Sequence, residues 1–511
     1  MLARVYSGAV YGVEAYPIEI EVNAGRGEVN IIIVGLPDAA VKESKDRVHT
    51  ALVNSGFRLH PGRTTINLAP ADVKKEGPAF DLPIALGMLA SQGEIPEAAL
   101  LDTAVIGELA LSGEVRRVKG VLPVALRARE KGWRRILVPA ENAEEAAVVE
   151  GIEVIAVNDL RSAADHLCGY KEQMPFTVAR EELLSMLHEH DEDFEDVKGQ
   201  ESAKRAIEVA VAGGHNILMI GPPGTGKTML AKRIPSVLPE MTLEEALDVT
   251  RIHSIAGVLG AHRALVSTRP FRSPHHTISD AGLLGGGAHP MPGEVSLSHN
   301  GVLFLDELPE FHRKVLEVMR QPLEDGQVTV SRAAASVTFP CRFMLVAAMN
   351  PCPCGYYGDT RRQCQCTSSQ VQKYRARISG PLLDRIDIHI QVPSMQYQEL
   401  SALAKGEPSN AIRERVMLAR RRQLERLKSS RKTHCNAGMS ARLVQKYCRP
   451  SDPAQSLLKQ AMSEFDLSAR AYERVLKVAR TIADLGNSET IEPMHISEAI
   501  QYRTLDRQSW F

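Results

Sequence analysis

The sequence predicts an α/β protein of several domains whose central part binds a nucleotide. Its 511 residues exceed the length of one ordinary domain. Apolar runs of strand length alternate with segments of helical periodicity up to about residue 393, after which the pattern becomes almost wholly helical. A glycine-rich loop at 221–228 follows an apolar run and precedes a helical segment. These observations together indicate a nucleotide-binding α/β core joined to other domains.

The first 168 residues are expected to form one α/β domain. Between Ile18 and Val34, alternating apolar residues flank a Gly-Arg-Gly turn, which predicts a β-hairpin. Strand and helix patterns then follow each other to about Leu167. Residues 169–195 are polar and acidic and lack a long apolar stripe, so we expect a linker there.

Residues 196–393 are expected to form the nucleotide-binding core and residues 394–511 a helical domain. We interpret the stretch at about 253–300 as an insert in the core. The segments VTVSR and SVTF are β-prone and predict a short projecting hairpin. A cysteine-rich loop is expected at 351–367.

The loop at 221–228 has the composition of a phosphate-binding loop, or P-loop. Backbone N–H groups freed by glycines can surround phosphates at a helix N-terminus. Lys227 is expected to reach the β- and γ-phosphate oxygens of ATP, and Thr228 to bind Mg²⁺. The predicted nucleotide-binding residues are Gly221, Pro222, Pro223, Gly224, Thr225, Gly226, Lys227 and Thr228.

Polar residues end the next two apolar strands. Asp306 is expected to hold the Mg²⁺ shell and Glu307 to polarise the attacking water. Asn350 follows a third strand, where it would meet the γ-phosphate or the water. The alternatives are a solvated or helix-capping acid pair and a plain turn residue before Pro351. Their order after the P-loop favours ATP hydrolysis.

Six strings give the chain its resemblance to a known family. They are VKGQ at 197–200, the P-loop, RPFRSPHHT at 269–277, GEVSLSHNGVLFLDELPEF at 293–311, QPLEDGQVTVSR at 321–332 and GPLLDRIDIHI at 380–390. Together they resemble the AAA+ class of ATPases and, within it, the magnesium chelatase-like ComM/YifB family of competence-associated helicases. The resemblance extends over essentially the whole chain.

This resemblance implies a central AAA+ P-loop domain, a C-terminal helical lid and three residue roles. Asn350 would be sensor 1, Arg385 the arginine finger and Arg470 sensor 2. An arginine finger stabilises transition-state charge in a neighbouring subunit's site, so the resemblance implies a homo-hexameric ring. The alternative for Arg385 is a surface ion pair with Asp384 or Asp387.

Two N-terminal segments, EGPAFDLPIALGMLA and GELALSGEVRRVKGVLPVALRAREKG, resemble the proteolytic domain of Lon, an α/β domain of the ribosomal protein S5 domain 2-like fold. Lon uses a serine and a distant lysine. Ala79 stands at the serine position, and Leu122 falls at about the lysine position. Without these groups Ser-Lys chemistry is excluded, so residues 1–168 are expected to act as a scaffold for ring assembly or DNA contact.

Four of the eight cysteines lie close together in sequence. They are Cys352, Cys354, Cys364 and Cys366. Four soft ligands suit tetrahedral Zn²⁺, although the CxC spacing is tighter than the commoner CxxC, and reduced thiols are the alternative. Arg361 and Arg362 lie between the two cysteine pairs and are candidate DNA contacts.

DNA contacts are also expected at the predicted hairpin and at a basic segment. Arg332 in the hairpin is a candidate DNA-touching residue, and an exposed charge is the alternative. Residues 411–432 have nine basic and two acidic residues. This segment could track phosphates or could be the solvated face of a helix or a subunit contact.

The leading hypothesis is an ATP-driven DNA translocase that promotes branch migration in homologous recombination, including natural transformation, with single-stranded and branched DNA as partners. The alternative is a motor acting on a protein partner, like the magnesium chelatase ATPase subunit. A protease is disfavoured by Ala79, and an inactive ring by the complete set of ATPase residues. The expected cofactors are ATP, Mg²⁺ and Zn²⁺.

The charge balance and the apolar runs of the sequence bear on its partners and its location in the cell. Lys and Arg number 61 against 62 Asp and Glu, so DNA attraction must come from local patches. No stretch reaches the ~18 apolar residues of a membrane span. We therefore expect a cytoplasmic protein without a membrane partner.

Overall fold

The computed structural model of the chain confirms the α/β class. It describes residues 2–25, 30–179, 192–261, 263–287, 290–332, 335–359, 361–394, 405–428, 430, 433–465 and 467–503. Two main sheets lie in this part of the chain, a seven-stranded N-terminal sheet and a five-stranded central sheet. Each packs against its own helices around a separate apolar core.

The strands are short except at the N-terminus. They are β1 (Leu2–Tyr11), β2 (Glu14–Ala24), β3 (Asn30–Val34), β4 (Arg63–Ala69), β5 (Thr103–Val105), β6 (Glu108–Leu109), β7 (Val115–Arg116), β8 (Arg135–Pro139), β9 (Glu153–Val157), β10 (Ile217–Ile220), β11 (Phe271–Arg272), β12 (Gly285–Gly286), β13 (Met291–Pro292), β14 (Val302–Leu305), β15 (Gln327–Arg332), β16 (Ala335–Pro340), β17 (Met344–Met349) and β18 (Ile388–Gln391).

The helices occur throughout the chain and dominate its C-terminal part. They are α1 (Ala39–Asn54), α2 (Asp81–Ser91), α3 (Val121–Glu130), α4 (Ala143–Ala147), α5 (Leu160–Leu167), α6 (Glu201–Gly213), α7 (Lys227–Val237), α8 (Leu243–Ala256), α9 (Asp280–Leu284), α10 (Glu294–Leu297), α11 (Arg313–Val318), α12 (Arg320–Asp325), α13 (Ser368–Arg375), α14 (Gly380–Leu383), α15 (Ser409–Leu427), α16 (Ala441–Tyr447), α17 (Asp452–Glu464), α18 (Ala469–Leu485) and α19 (Pro493–Gln501). Among the described helices, none combines the length and apolarity that crossing a bilayer requires.

The N-terminal sheet has the strand order β3-β4-β2-β1-β5-β8-β9. The hairpin predicted between Ile18 and Val34 is wrong, because β4 lies between β2 and β3. β2 pairs with β4 in antiparallel orientation, and β3 pairs with β4 in parallel orientation. The parallel pair requires a long crossover, which α1 provides. The N-terminal hairpin is instead β1–β2, whose turn includes Gly12 at φ +65°.

The central sheet has the order β11-β14-β17-β10-β18, and all its strands are parallel. β10, β14 and β17 are apolar along their whole length and fully buried, since helices cover both faces of such a sheet. The carboxyl ends of these three strands lie at one edge. The P-loop, the acidic pair and Asn350 follow them at that edge.

The hairpin predicted from VTVSR and SVTF is confirmed as β15–β16. Cross-strand hydroxyls of Thr329 and Thr338 lie 2.9 Å apart on it. The Tyr11 hydroxyl donates to the backbone carbonyl of Ser336 at 3.1 Å, so the hairpin contacts the β1–β2 turn of the N-terminal sheet. After the end of α8, the described residues of the stretch at 253–300 form short elements, which are β11, α9, β12, β13 and α10. Of these, β11 is the edge strand of the central sheet, so the predicted insert is not wholly separate from the core.

The described residues from 405 to 503 form helices and no strand. Their apolar side chains share one core with β10 and β14. Within the basic segment, arginines of α15 hold this helix against α6. Arg420 donates to the Val211 carbonyl at 2.9 Å, and Arg415 pairs with Glu208 at 2.5 Å. These two arginines therefore make intramolecular contacts, whereas Arg421 and Lys428 of the same segment are exposed.

A buried carboxylate joins the C-terminal helices. Asp484 is fully buried near the end of α18. It accepts hydrogen bonds from Arg426 at 2.9 Å, Arg480 at 3.1 Å and Asn436 at 2.8 Å. A buried charge is tolerated only when it is paired in this way. Asp484 therefore supplies the negative charge that joins Arg426 of α15 to Arg480 of α18.

We expect Asp484→Asn to weaken the C-terminal helices, because it leaves the buried guanidinium of Arg480 and the half-buried one of Arg426 without their counter-charge. Breaking such a pair costs about 3–5 kcal/mol. Hydrogen–deuterium exchange of α15 and α18 should become markedly faster in the variant. Glu464→Gln, at an exposed position of α17, is the matched control. Equal protection in the two variants would contradict this role.

Candidate nucleotide-binding and catalytic site

The P-loop joins β10 to α7, and its glycines are required sterically. A β-carbon on Gly221 would lie 2.2 Å from the Val392 carbonyl oxygen. Gly224 and Gly226 have φ values of +77° and +84°, which are costly for other residues. The loop can therefore curve tightly and point backbone N–H groups at the start of α7, where Lys227 begins the helix.

The Lys227 ammonium group is held by oxygens on three sides. It donates to the carbonyls of Gly221 at 2.8 Å and Pro222 at 2.9 Å, and to Asn350 Oδ1 at 3.3 Å. Burial lowers the pKa of Lys227, and the two carboxylates that follow β14 oppose this shift. The sensor candidate and the P-loop lysine are thus in direct contact.

Thr228 and Asp306 form the predicted magnesium site. The Thr228 hydroxyl donates to Asp306 Oδ2 at 2.7 Å. Neighbouring ligands of octahedral Mg²⁺ lie about 2.9 Å apart, given metal–oxygen distances of about 2.05 Å. Hydroxyl and carboxylate oxygens are also the hard ligands that Mg²⁺ prefers. The residues present therefore fit this cation.

Glu307 has an unusual backbone conformation. Its φ of +52° lies in the left-handed region, which is uncommon for residues other than glycine. Its backbone N–H donates to Asp306 Oδ1 at 2.9 Å. Its carboxylate is 56% exposed and lies 3.7 Å from Nδ1 of His276. Backbone strain of this kind is common at active sites.

Two neighbours of the site were missed by the sequence analysis as functional residues. His276 lies beside Glu307, and its ring centroid is 4.1 Å from that of His275. Gln200 has φ +58° and donates from its side-chain amide to the Thr225 carbonyl at 2.8 Å. Both belong to strings that support the family resemblance, but no local pattern assigns either to this site.

A cavity of about 440 Å³ joins these groups, within the usual size of ligand sites. It is lined by Pro223, Gly224, Thr225, Gly226, Lys227, Thr228, Met229, Asp306, Glu307, Met349 and Asn350. The structure therefore brings the acidic pair and Asn350 to the P-loop.

Arg385 and Arg470 do not line this cavity. Arg385 donates to the Pro381 carbonyl and pairs with Glu324. The alternative of an ion pair is therefore confirmed in kind, but its partner is Glu324 on α12 and not Asp384 or Asp387. Arg470 is exposed in the first turn of α18.

Asp387 instead connects the central sheet to α18. Its carboxylate lies 3.1 Å from His215 Nδ1 and 3.5 Å from Arg474 Nε. His215 Nε2 lies 2.9 Å from the Thr481 hydroxyl. Burial opposes ionisation, but the His215 hydrogen bond and the charges of Arg474 and Lys477 hold the pKa of Asp387 at about 2. A movement of α18 would therefore displace Asp387, which stands two residues after Arg385.

The cysteine cluster is brought together as the sequence predicts. The Sγ atoms of Cys352, Cys354, Cys364 and Cys366 all lie within 4.8 Å of one another. Three of their separations are 3.4, 3.5 and 3.7 Å. A tetrahedral ion with bonds of about 2.3 Å places its sulfur ligands about 3.8 Å apart. The cluster therefore fits Zn²⁺.

Comparison with known proteins identifies the family. The chain is 43% identical over 510 residues to competence protein ComM of Haemophilus influenzae, covering 99% of this chain and 98% of the relative. It is 42% identical over 508 residues to the uncharacterized protein YifB of Escherichia coli, covering 99% and 98%. The chain belongs to the magnesium chelatase-like ComM/YifB family.

Family models agree with this assignment. "Magnesium chelatase, subunit ChlI" matches residues 193–400, "Subunit ChlI of Mg-chelatase" matches 20–142, and "Magnesium chelatase, subunit ChlI C-terminal" matches 406–503. Lon protease 2 of Bacillus subtilis is 27% identical over 192 residues, covering 33% of this chain and 34% of that protein. This ComM/YifB-family member is thus an AAA+ ATPase, a class that uses ATP and Mg²⁺.

The N-terminal domain of this ComM/YifB-family chain has no Ser-Lys pair at the expected positions. Ala79 and Leu122 both pack in one apolar cluster. Leu122 is fully buried there. An apolar environment at both positions agrees with a scaffold and gives no basis for acyl-enzyme chemistry.

The candidate DNA contacts lie on the β15–β16 hairpin and on the cysteine loop. The side chain of Arg332 lies outside the described residues, although its backbone ends β15. Arg361 donates to the Ser394 carbonyl at 3.1 Å. Arg362 donates to the Tyr356 hydroxyl at 2.8 Å and stacks 5.1 Å above its ring. Both side chains lie at exposed positions of the cysteine loop.

Thr228→Val should abolish the contribution of Mg²⁺ to nucleotide affinity, because it removes the hydroxyl but keeps the side-chain volume. Titration with fluorescently labelled ADP, with Mg²⁺ and with EDTA, measures this contribution. Thr228→Ser retains the hydroxyl and should behave like the unmodified protein. A valine variant that keeps its full magnesium dependence would contradict the assignment.

Proposed function

We propose that this protein is a homo-hexameric, ATP-driven DNA translocase that promotes branch migration in homologous recombination, including the integration of incoming DNA in natural transformation. It would act in the cytoplasm on single-stranded and branched DNA. The observation that most supports a motor is the cavity joining the P-loop to Asp306, Glu307 and Asn350. The DNA substrate is supported by the ComM/YifB membership and by the name of the competence protein among its relatives.

Hydrolysis would rely on residues already gathered at the cavity. Lys227 would exchange its carbonyl partners for phosphate oxygens, which suits an ammonium group at a buried position. Thr228 and Asp306 would hold Mg²⁺, which would neutralise part of the phosphate charge. Glu307 would polarise the attacking water, since its carboxylate is exposed beside the cavity. Asn350 would orient the same water or the γ-phosphate.

Two further positive charges would stabilise the transition state, one from a neighbouring subunit and one from the proposed lid. Arg385 would act as an arginine finger in the next subunit's site, which requires it to leave Glu324. Arg470 would act as sensor 2 once the proposed lid at 394–511 closes over the nucleotide. The Asp387–Arg474 contact gives a direct connection between lid position and the Arg385 segment.

DNA contact would fall on two projecting elements. The β15–β16 hairpin would place Arg332 at its tip in the ring channel. The cysteine loop at 351–367 would add Arg361 and Arg362, with Zn²⁺ as its structural ion. The proposed scaffold domain at 1–168, followed by the linker at 169–195, would support the hairpin through the Tyr11–Ser336 contact.

A motor acting on a protein partner is the second candidate. Matches to magnesium chelatase subunit models across the central and C-terminal residues favour it. Both candidates share the ATPase core at 196–393, including its insert at about 253–300. They differ in whether DNA or a protein increases the rate of hydrolysis.

Lys227→Ala should abolish ATP hydrolysis, because it removes the charge that compensates the phosphates. Arg385→Ala should bind nucleotide normally, but its rate of hydrolysis should fall by at least about 10³-fold. Mixed rings of the two variants should regain part of the activity, since each provides what the other lacks. Normal turnover by the Arg385 variant alone would contradict a shared site.

Arg332→Ala should weaken binding to single-stranded DNA and reduce the salt dependence by about one unit of slope, as loss of one phosphate contact does. Fluorescence anisotropy at several salt concentrations measures both. Lys446→Ala, an exposed cation on α16, is the matched control. Unchanged DNA binding in the Arg332 variant would remove the hairpin from the DNA path.

A further inference from the structure

The cysteine loop begins at the nucleotide site. Asn350 contacts Lys227, and Cys352 follows only two residues later. The next regular element is α13, so the described residues from 351 to 367 form no helix or strand. The shape of this loop therefore depends on side-chain contacts and on whatever the four thiols bind.

The loop rests directly on the P-loop. Gly355 is buried and has φ +87°. A β-carbon built on Gly355 would lie 2.6 Å from Cδ and 2.7 Å from Cγ of Pro223. Pro223 lines the nucleotide cavity, and its ring cannot rotate away as a flexible side chain would. Displacement of Gly355 would thus be transmitted to the P-loop.

Other contacts hold the loop at separate points, and one of them is the hydrogen bond from Arg361 to the Ser394 carbonyl at 3.1 Å. Arg375 Nε donates to the Pro351 carbonyl at 3.3 Å, and its guanidinium lies 5.0 Å from the Tyr357 ring centroid. Between these anchors, a tetrahedral ion would connect both cysteine pairs through four bonds and remove most of the loop's freedom. Gly355 stands directly after Cys354 and would be fixed by that ion.

We propose that Zn²⁺ bound by Cys352, Cys354, Cys364 and Cys366 holds the loop as a rigid support beneath Pro223, so that metal occupancy sets the affinity of the P-loop for nucleotide. The support is structural, since the cluster does not line the nucleotide cavity. The inference rests on nucleotide binding at the P-loop and is independent of DNA translocation.

The first test measures metal and nucleotide affinity together. Full-length protein purified without added chelator should contain one zinc ion per chain by plasma mass spectrometry, as a closed four-thiolate site does. Cys364→Ser should lose zinc and bind labelled ADP about tenfold more weakly, equivalent to 1.4 kcal/mol. Cys168→Ser, which alters a half-buried cysteine of the N-terminal domain, should change neither quantity.

The second test separates the effect of zinc binding from the effect of the contact between Gly355 and Pro223. Gly355→Ala should retain zinc but weaken ADP binding about tenfold, because its β-carbon displaces Pro223. Gly358→Ala is the matched control, since Gly358 has φ +78° but open space around its β-carbon position. It should keep both zinc and affinity.

The outcomes are distinct. A zinc-free wild-type protein, or a zinc-free Cys364 variant that binds ADP normally, would overturn the proposal. Equal ADP affinity of the Gly355 and Gly358 variants would also overturn it. Failure of the wild-type protein to bind ADP at all would instead contradict the proposed ATPase function.

Discussion

The contact between Lys227 and Asn350 is the interaction on which the nucleotide site depends. It joins the helix after β10 to the end of β17, and these adjacent parallel strands pair from Ile217 to Ile220. Because parallel strands present their carboxyl ends at one edge, the sheet order places the P-loop, acids and Asn350 around one cavity. The same strand end leads into the cysteine loop. The pairing register of β10 and β17 therefore sets both the arrangement of the proposed catalytic residues and the position at which the cysteine loop begins.

Charges away from the cavity have a different role. Three arginines of α15, Arg415, Arg420 and Arg426, make ion pairs and backbone contacts that fix this helix to α6 and to the buried Asp484. Asp387 extends this arrangement to Arg474 on α18. A chain with almost equal numbers of acidic and basic residues thus uses many of its arginines internally. The proposed DNA contact would then rely on a few exposed side chains.

Local signals predicted the fold class, the P-loop, the β15–β16 hairpin and the proximity of the cysteines, because each depends on neighbouring residues. Signals that depend on distant partners failed. Alternation between Ile18 and Val34 identified strands but not the insertion of β4 between them. The partner of Arg385 lies 61 residues away in sequence, on α12. His276 and Gln200 reach the site only through the fold, so spacing could not assign them.

The proposed function requires that ATP hydrolysis by this protein moves branched DNA. The most direct measurement follows ATP hydrolysis and the movement of a labelled four-way junction in the same tubes, with single-stranded and duplex DNA for comparison. We expect DNA to increase the rate of hydrolysis and junction movement to require ATP. A rate of hydrolysis that no DNA changes, together with a junction that does not move, would contradict a DNA translocase and favour a protein partner.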